Sequence, residues 1–240
     1  MFALPTSTPK FDALYAHALT NDLGPLDSLN SEERFAVLLG GLASLSLSEQ
    51  TLTSELRSLL DKGCNLQLAE DILIQMAVYL GAPAARQALA SLAAAAEPAS
   101  VLATREARPE PAAHRFEAGT AAYAELNPNA LSDIQAAFGK VAPDVIDLTF
   151  RGFGDLYGQS SQPLTSRQLA TVSALAVLGS AAPQLRFHIG AAFRVGVSCE
   201  KLVETIAWVQ FLKGAPAAYN ALTELKAALA AGNEATPGYE

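Results

Sequence analysis

The segment Gly81-Ala82-Pro83-Ala84-Ala85 returns unchanged as Gly214-Ala215-Pro216-Ala217-Ala218, 133 residues further along the chain. The same offset pairs Leu52 with Leu185, Gly63 with Gly196, Asn65 with Ser198 and Asp71 with Glu204, and it continues from Ala88-Leu89 onto Ala221-Leu222. A single shared pentapeptide could arise by chance. A constant offset over this whole stretch marks a duplicated unit, and it restricts the fold to one arrangement built twice in tandem.

The punctuation of the unit is helical. Asn30 to Glu33 and Thr165 to Gln168 both have the spacing of a capping box, in which each end satisfies a free backbone N–H of the other. They lie 135 residues apart, which places a small length change between this helix and the next. The runs Arg34 to Leu45 and Leu169 to Leu178 are apolar enough for buried helices. Leu52 to Lys62 and Gln184 to Val195 come next, stopped by Gly63 and Gly196, residues suited to the left-handed position past a helix end. Asn65 and Ser198 cap a third helix apiece. Those helices end at Gly81 and Gly214, and Pro83 and Pro216 open the last helix, where a missing amide is not needed. Half of the residues are hydrophobic, largely alanine and leucine, the strongest helix formers, so composition agrees with an all-α protein.

Residues 1–96 read as the first unit and 115–240 as the second. Between them, residues 97–114 carry Pro98, Pro109 and Pro111 among alanines and charges, the composition of a linker. A helical segment from Arg115 to Ala137 leads into the second unit, whereas the leader of the first, Phe11 to Leu29, is short. A trimmed copy thus precedes a fuller one. The net charge of −8 and scattered Lys and Arg exclude a nucleic-acid surface. Leu169 to Pro183 is too short and too rich in small and hydroxyl residues to span a bilayer. Met1 to Thr6 lacks the charged leader and apolar core of a signal peptide. The expectation is a cytoplasmic protein with no membrane partner. Its two cysteines, Cys64 and Cys199, make no disulfide framework, and nothing in the sequence calls for a metal or cofactor.

Four motifs carry a family resemblance: Phe153-Gly154-Asp155-Leu156-Tyr157, Leu164-Thr165-Ser166-Arg167-Gln168-Leu169, Gln184-Leu185-Arg186-Phe187-His188 and Gly214-Ala215-Pro216-Ala217-Ala218. Through them the second unit resembles the carboxymuconolactone decarboxylase family along nearly its full length. The first unit is similar more weakly, from Asn30 to Leu92. The resemblance implies helical units of the alkyl hydroperoxidase D type, with the Gln184 and Gly214 motifs walling a small buried pocket. The family includes decarboxylases of aromatic degradation and thiol peroxidases.

The peroxidase branch uses a C-x-x-C pair followed by a histidine, because it needs a low-pKa thiolate and a resolving thiol. Ala181 and Gln184 stand at the cysteine positions, and the histidine survives as His188. In the first unit Glu55 takes the histidine position, and Cys64 and Cys199 lie beyond the helix-ending glycines. Peroxidase chemistry is therefore disfavoured. His188, at the edge of the stripe formed by Leu185, Ile189 and Ala192, is the candidate catalytic residue, because histidine exchanges protons near neutral pH. A structural hydrogen bond across a helix interface explains it too.

Gln184, Arg167, Tyr157 and Trp208 complete the candidate substrate-binding set. Arg167 could hold a carboxylate bidentately or be a solvated first-turn residue. Tyr157, Trp208 and Phe211 suit recognition or core packing. Gln168 and Glu33 sit where the family often has a functional glutamate, and capping explains both. Arg34 and Glu55 could pair in the first unit. Three functions stay open: a lyase decarboxylating a small carboxylated lactone or related acid, with His188 as proton donor; a non-catalytic binding or scaffold protein; and a peroxidase. Single-unit relatives form rings, so the resemblance implies a homo-oligomer, with three tandem chains closing a pseudo-sixfold ring.

Overall fold

The computed structural model describes residues 9–96, 111–157 and 160–233. Residues 97–110 of the expected linker lie outside them. The described residues form twelve α-helices and no strand, in agreement with the all-α expectation. Helix α1 (Pro9–Ala18) runs into a π-helical turn, Leu19–Leu23, and is followed by α2 (Ser31–Ala43), α3 (Glu49–Asp61), α4 (Leu66–Leu80) and α5 (Ala82–Ala95). Then come α6 (Ala112–Leu126), α7 (Ala130–Phe138) and α8 (Pro143–Gly152), the last extended by a second π-helical turn, Phe153–Tyr157. The chain ends in α9 (Leu164–Leu178), α10 (Ala182–Arg194), α11 (Cys199–Lys213) and α12 (Ala215–Asn233). Among the described residues no helix is long and apolar enough to cross a membrane.

The local signals explain most helix ends. Asn30 accepts from the Glu33 amide at 2.9 Å, and Glu33 returns the contact to the Asn30 amide at 3.0 Å, a complete capping box. Asn65 and Ser198 cap α4 and α11 through their side chains. Gly63 and Gly196 have φ of +91° and +92°, a backbone region open to residues without a Cβ.

The start of α9 needs correction. Thr165 and Gln168 form no capping box: α9 starts at Leu164, its N-cap is Pro163, and Gln168 turns inward to other partners. With that start, α2, α3, α4 and α5 each begin 133 residues before α9, α10, α11 and α12, and the inferred length change is absent. The helical segment expected from Arg115 to Ala137 is present and consists of two helices, α6 and α7. Asn127 adopts extended backbone as the C-cap of α6, because Pro128 after it disfavours helical backbone in the residue before a proline.

Helices α2 and α9 pack against each other at the centre. Gly40 allows their close approach, since a Cβ there would lie 2.2 Å from the Ala170 carbonyl oxygen. Every residue of α9 from Ser166 to Val177 is buried, which is why its apolar residues follow no stripe. One continuous apolar core runs through α2–α5 and α9–α12 alike.

Reciprocal polar contacts cross that core. Arg34 on α2 reaches Glu204 on α11 at 3.0 Å, and Arg167 on α9 reaches Gln75 on α4 at 2.9 Å. Arg34 and Glu55 therefore do not pair: the guanidinium is taken by Glu204 and the Leu26 carbonyl, at 2.7 Å from the latter.

Candidate functional site

The site is assembled around α10. His188 faces inward there, 3% exposed, beside α9 and the π-helical turn that extends α8. That turn is held by close backbone packing on α6, where a Cβ on Gly154 would come 2.2 Å from the Arg115 carbonyl oxygen. Arg115 also grips the turn through Asp155, its Nε donating to Oδ1 at 2.8 Å. A π turn inserts an extra residue and rotates the side chains beyond it, and such turns recur at functional sites. Here it places Tyr157, 1% exposed, against Gln168, which in turn contacts the histidine.

Behind His188 lies a buried polar chain. The Gln168 amide donates through Nε2 to the Tyr157 hydroxyl, and its Oε1 lies 3.0 Å from His188 Nδ1. An amide oxygen only accepts, so Nδ1 carries the ring proton and Nε2 is left as the proton acceptor. Arg167, 4% exposed, stacks 3.5 Å over the Tyr157 ring and donates to the Tyr157 carbonyl. Gln75 fastens it from α4, accepting from Arg167 Nε and donating to the Arg167 carbonyl at 3.0 Å and to Thr171 at 2.8 Å. The rings of Tyr79 and Phe187 stand edge-on to His188 at 5.1 and 5.0 Å.

Burial sets the charge states. It pushes the His188 pKa down to about 3, so the imidazole is neutral at physiological pH. Burial raises Tyr157 to about 12 against the opposing pull of Arg167, and carries Tyr79 well above the ordinary phenol. The same desolvation lowers Arg167, with Tyr157 and Tyr79 working against it.

His188 lines a cleft of about 540 Å³ between α6, α7, α8 and α10. Its walls are largely apolar, from Ile134, Phe138, Val145, Ile146 and Phe187, with Tyr123 on one side. Asn127, Thr149 and Gln184 supply neutral polar groups, and among the described residues Asp133 is the one charged group in the lining. Among the described residues, no group of three or more His, Cys, Asp or Glu side chains is placed to hold a metal.

The structure therefore divides the residues singled out from sequence. His188 and Gln184 line the cleft together. Tyr157 and Arg167 sit behind the histidine as support, and Arg167 is neither solvated nor in the cleft lining. Trp208 is elsewhere, beside Arg34 in a separate cavity. Glu55 is buried on α3 with Oε2 lacking a hydrogen-bond partner among the described residues, and burial raises its pKa to about 7. Cys64 and Cys199 are free thiols whose pKa values burial raises, Cys64 to about 12, the opposite of a reactive thiolate.

Sequence reasoning missed Gln75 and Tyr79. They fall with Gln67 and Asp71 at every fourth position of α4, a polar stripe that marks a helix face turned to polar partners. Asp71 holds Gln67 at 2.8 Å and Gln162 at 3.0 Å along that stripe.

Residues 143–227 match the model of the Carboxymuconolactone decarboxylase family. That span runs from the start of α8 into α12 and contains Tyr157, Arg167, Gln168, Gln184 and His188. No curated protein matches the chain.

Proposed function

We propose, for a chain that carries a domain of the carboxymuconolactone decarboxylase family in its second half, that the cleft beside His188 binds a small carboxylated lactone or related acid and decarboxylates it. The observation that carries this reading is the state of His188. Its Nδ1 is tied to Gln168 inside the protein, its ring borders an apolar cleft, and burial keeps the imidazole neutral, so that Nε2 is free to accept a proton. In an apolar cleft a carboxylic acid tends to keep its proton, since burial penalises the carboxylate. Nε2 takes that proton as the C–C bond to the carboxyl group breaks. Carbon dioxide leaves, and the bonding electron pair passes into the conjugated lactone carbonyl as an enolate. The imidazolium then returns the proton to carbon, closing the balance. His188 is thus a base first and, in the second step, the donor to the enolate that the sequence suggested.

Gln184 and Asn127 supply the hydrogen bonds that orient the substrate, and Phe187 and Ile146 cover its ring. Tyr157, Gln168, Arg167 and Gln75 are positioning residues that act through the histidine. The equal spacing of the four helix starts and the exchanged contacts of Arg34 and Arg167 support a tandem duplication in which only the second copy keeps the histidine.

Carbon dioxide release from a panel of carboxylated lactones tests the reading. His188→Gln should cut turnover about a hundredfold or more, the usual scale for a positioned acid or base. Unchanged turnover on a confirmed substrate would make His188 structural. One observation favours a non-catalytic alternative: among the described residues no cation lines the cleft, so a neutral apolar ligand fits it too. Saturable binding by calorimetry without any turnover across the panel would select that binding role.

A further inference from the structure

A second cavity, of about 210 Å³, is lined by a different part of the chain from the cleft, between the turn after α1, α2, the end of α3 and α11. Leu19, Phe35, Leu38 and Leu59 make it apolar, and Trp208 closes one side. Two cationic residues, Arg34 and Lys62, line it, and no acidic residue among the described ones does. We propose that this cavity is a binding site for a ring-sized organic carboxylate, its ring against Trp208 and its carboxylate between Arg34 and Lys62. The proposal does not depend on the chemistry assigned to His188.

The guanidinium is already built in place. Arg34 Nη2 donates to the Leu26 carbonyl at 2.7 Å and to Glu204 at 3.0 Å, and the group sits 5.8 Å from the Trp208 ring centroid. Its Nε is buried and has no acceptor among the described residues, whereas the side chain as a whole keeps 30% of its surface exposed, so a carboxylate would meet the accessible part of the guanidinium. Lys62 Nζ donates to Ser58 Oγ at 3.1 Å, and partial burial lowers its pKa, while a carboxylate beside an ammonium favours the charged form.

Size and lining choose the ligand class. A dry apolar cavity of roughly 150 Å³ accepts a benzene ring, so this one holds a single ring with one carboxyl group. Inorganic phosphate would leave the apolar walls uncovered, and a neutral ring would bring no negative charge to the two cationic side chains.

Trp208 is the single tryptophan in the chain, so its fluorescence reports on this cavity. Benzoate titrated into the full-length protein should change the emission saturably, with benzamide at least tenfold weaker. Lys62→Gln, at an exposed helix end, should weaken benzoate about tenfold while keeping the wild-type melting profile. His188→Gln should leave the titration unchanged. No saturable change, equal response to benzamide, or an unaltered benzoate affinity in a folded Lys62→Gln protein would each overturn the proposal.

Discussion

His188 and Glu55 occupy matching places in the two stretches, and their burial has opposite consequences for pH. The folded His188 pKa of about 3 lies below the ordinary value of 6.5, so the unfolded chain binds more protons between them. Its contribution to stability is therefore present above about pH 6.5 and declines as pH falls towards 3. Glu55 behaves in reverse. Its folded pKa of about 7 lies above the ordinary carboxyl value of 4.5, so its contribution is present below pH 4.5 and is lost as pH rises through 7. At pH 8 an ionised Glu55 sits 2% exposed, with Tyr15 beside it and Oε2 lacking a partner among the described residues. Glu55→Gln should consequently stabilise the protein at pH 8, by on the order of 2–3 kcal/mol from the size of the shift, and change little at pH 4. Urea denaturation at the two pH values measures this, and equal effects at both would contradict it. Gln168→Glu tests the other residue. A carboxylate at His188 Nδ1 favours the imidazolium, so the histidine pKa should rise, as followed by NMR titration of its ring protons. A pKa that stays near 3 would mean that Gln168 does not set the charge state.

The helices show which signals are local. Gly63, Gly196, Asn65 and Ser198 mark their helix ends from sequence because a left-handed glycine or a capping side chain acts within a few residues of itself. The start of α9 is different. Thr165 and Gln168 have capping-box spacing, but Pro163 takes the N-cap and long-range partners claim Gln168. The site is hidden for a similar reason: Gln75 and Tyr79 come from α4, about ninety residues before α9, and only packing brings them there. His188 itself was legible through the motif it belongs to, whereas the cleft beside it depends on α7 and α8, whose arrangement no local signal fixes. Packing also makes a glycine prediction at this scale. Gly40→Ala should destabilise by about 1–3 kcal/mol, as overpacked sites do, despite the gain in helix propensity. Its new Cβ would meet backbone, the Ala170 carbonyl oxygen, which cannot swing aside. Gly190→Ala is the control, because its nearest neighbour is the end of the Arg194 side chain at 4.0 Å, and it should be neutral or stabilising. If urea melts showed both substitutions stabilising, α2 and α9 would not approach as closely as the Gly40–Ala170 contact requires.

For the whole molecule, the continuous apolar core of α2–α5 and α9–α12 leaves a different surface at α7 and α8. Phe138, Val141, Val145 and Leu148 are exposed there, Val141 by 85%, on two helices that border the cleft and the turn between them. Contiguous exposed apolar side chains on a protein surface mark contact sites. We propose that copies of the chain meet through this face and close a trimer, as expected for a fused pair that replaces one dimer in a ring of single units. The net charge of −8 opposes association, so added salt should strengthen it by screening repulsion while the apolar contact persists. Light scattering over a range of protein concentrations should give three times the chain mass of 25.1 kDa, with the trimer favoured at higher ionic strength. Val141→Lys with Leu148→Lys should shift the mass to that of one chain while leaving the helical circular dichroism unchanged, since both side chains are exposed. A single-chain mass at every concentration, or a trimer indifferent to the two lysines, would remove this face from the assembly.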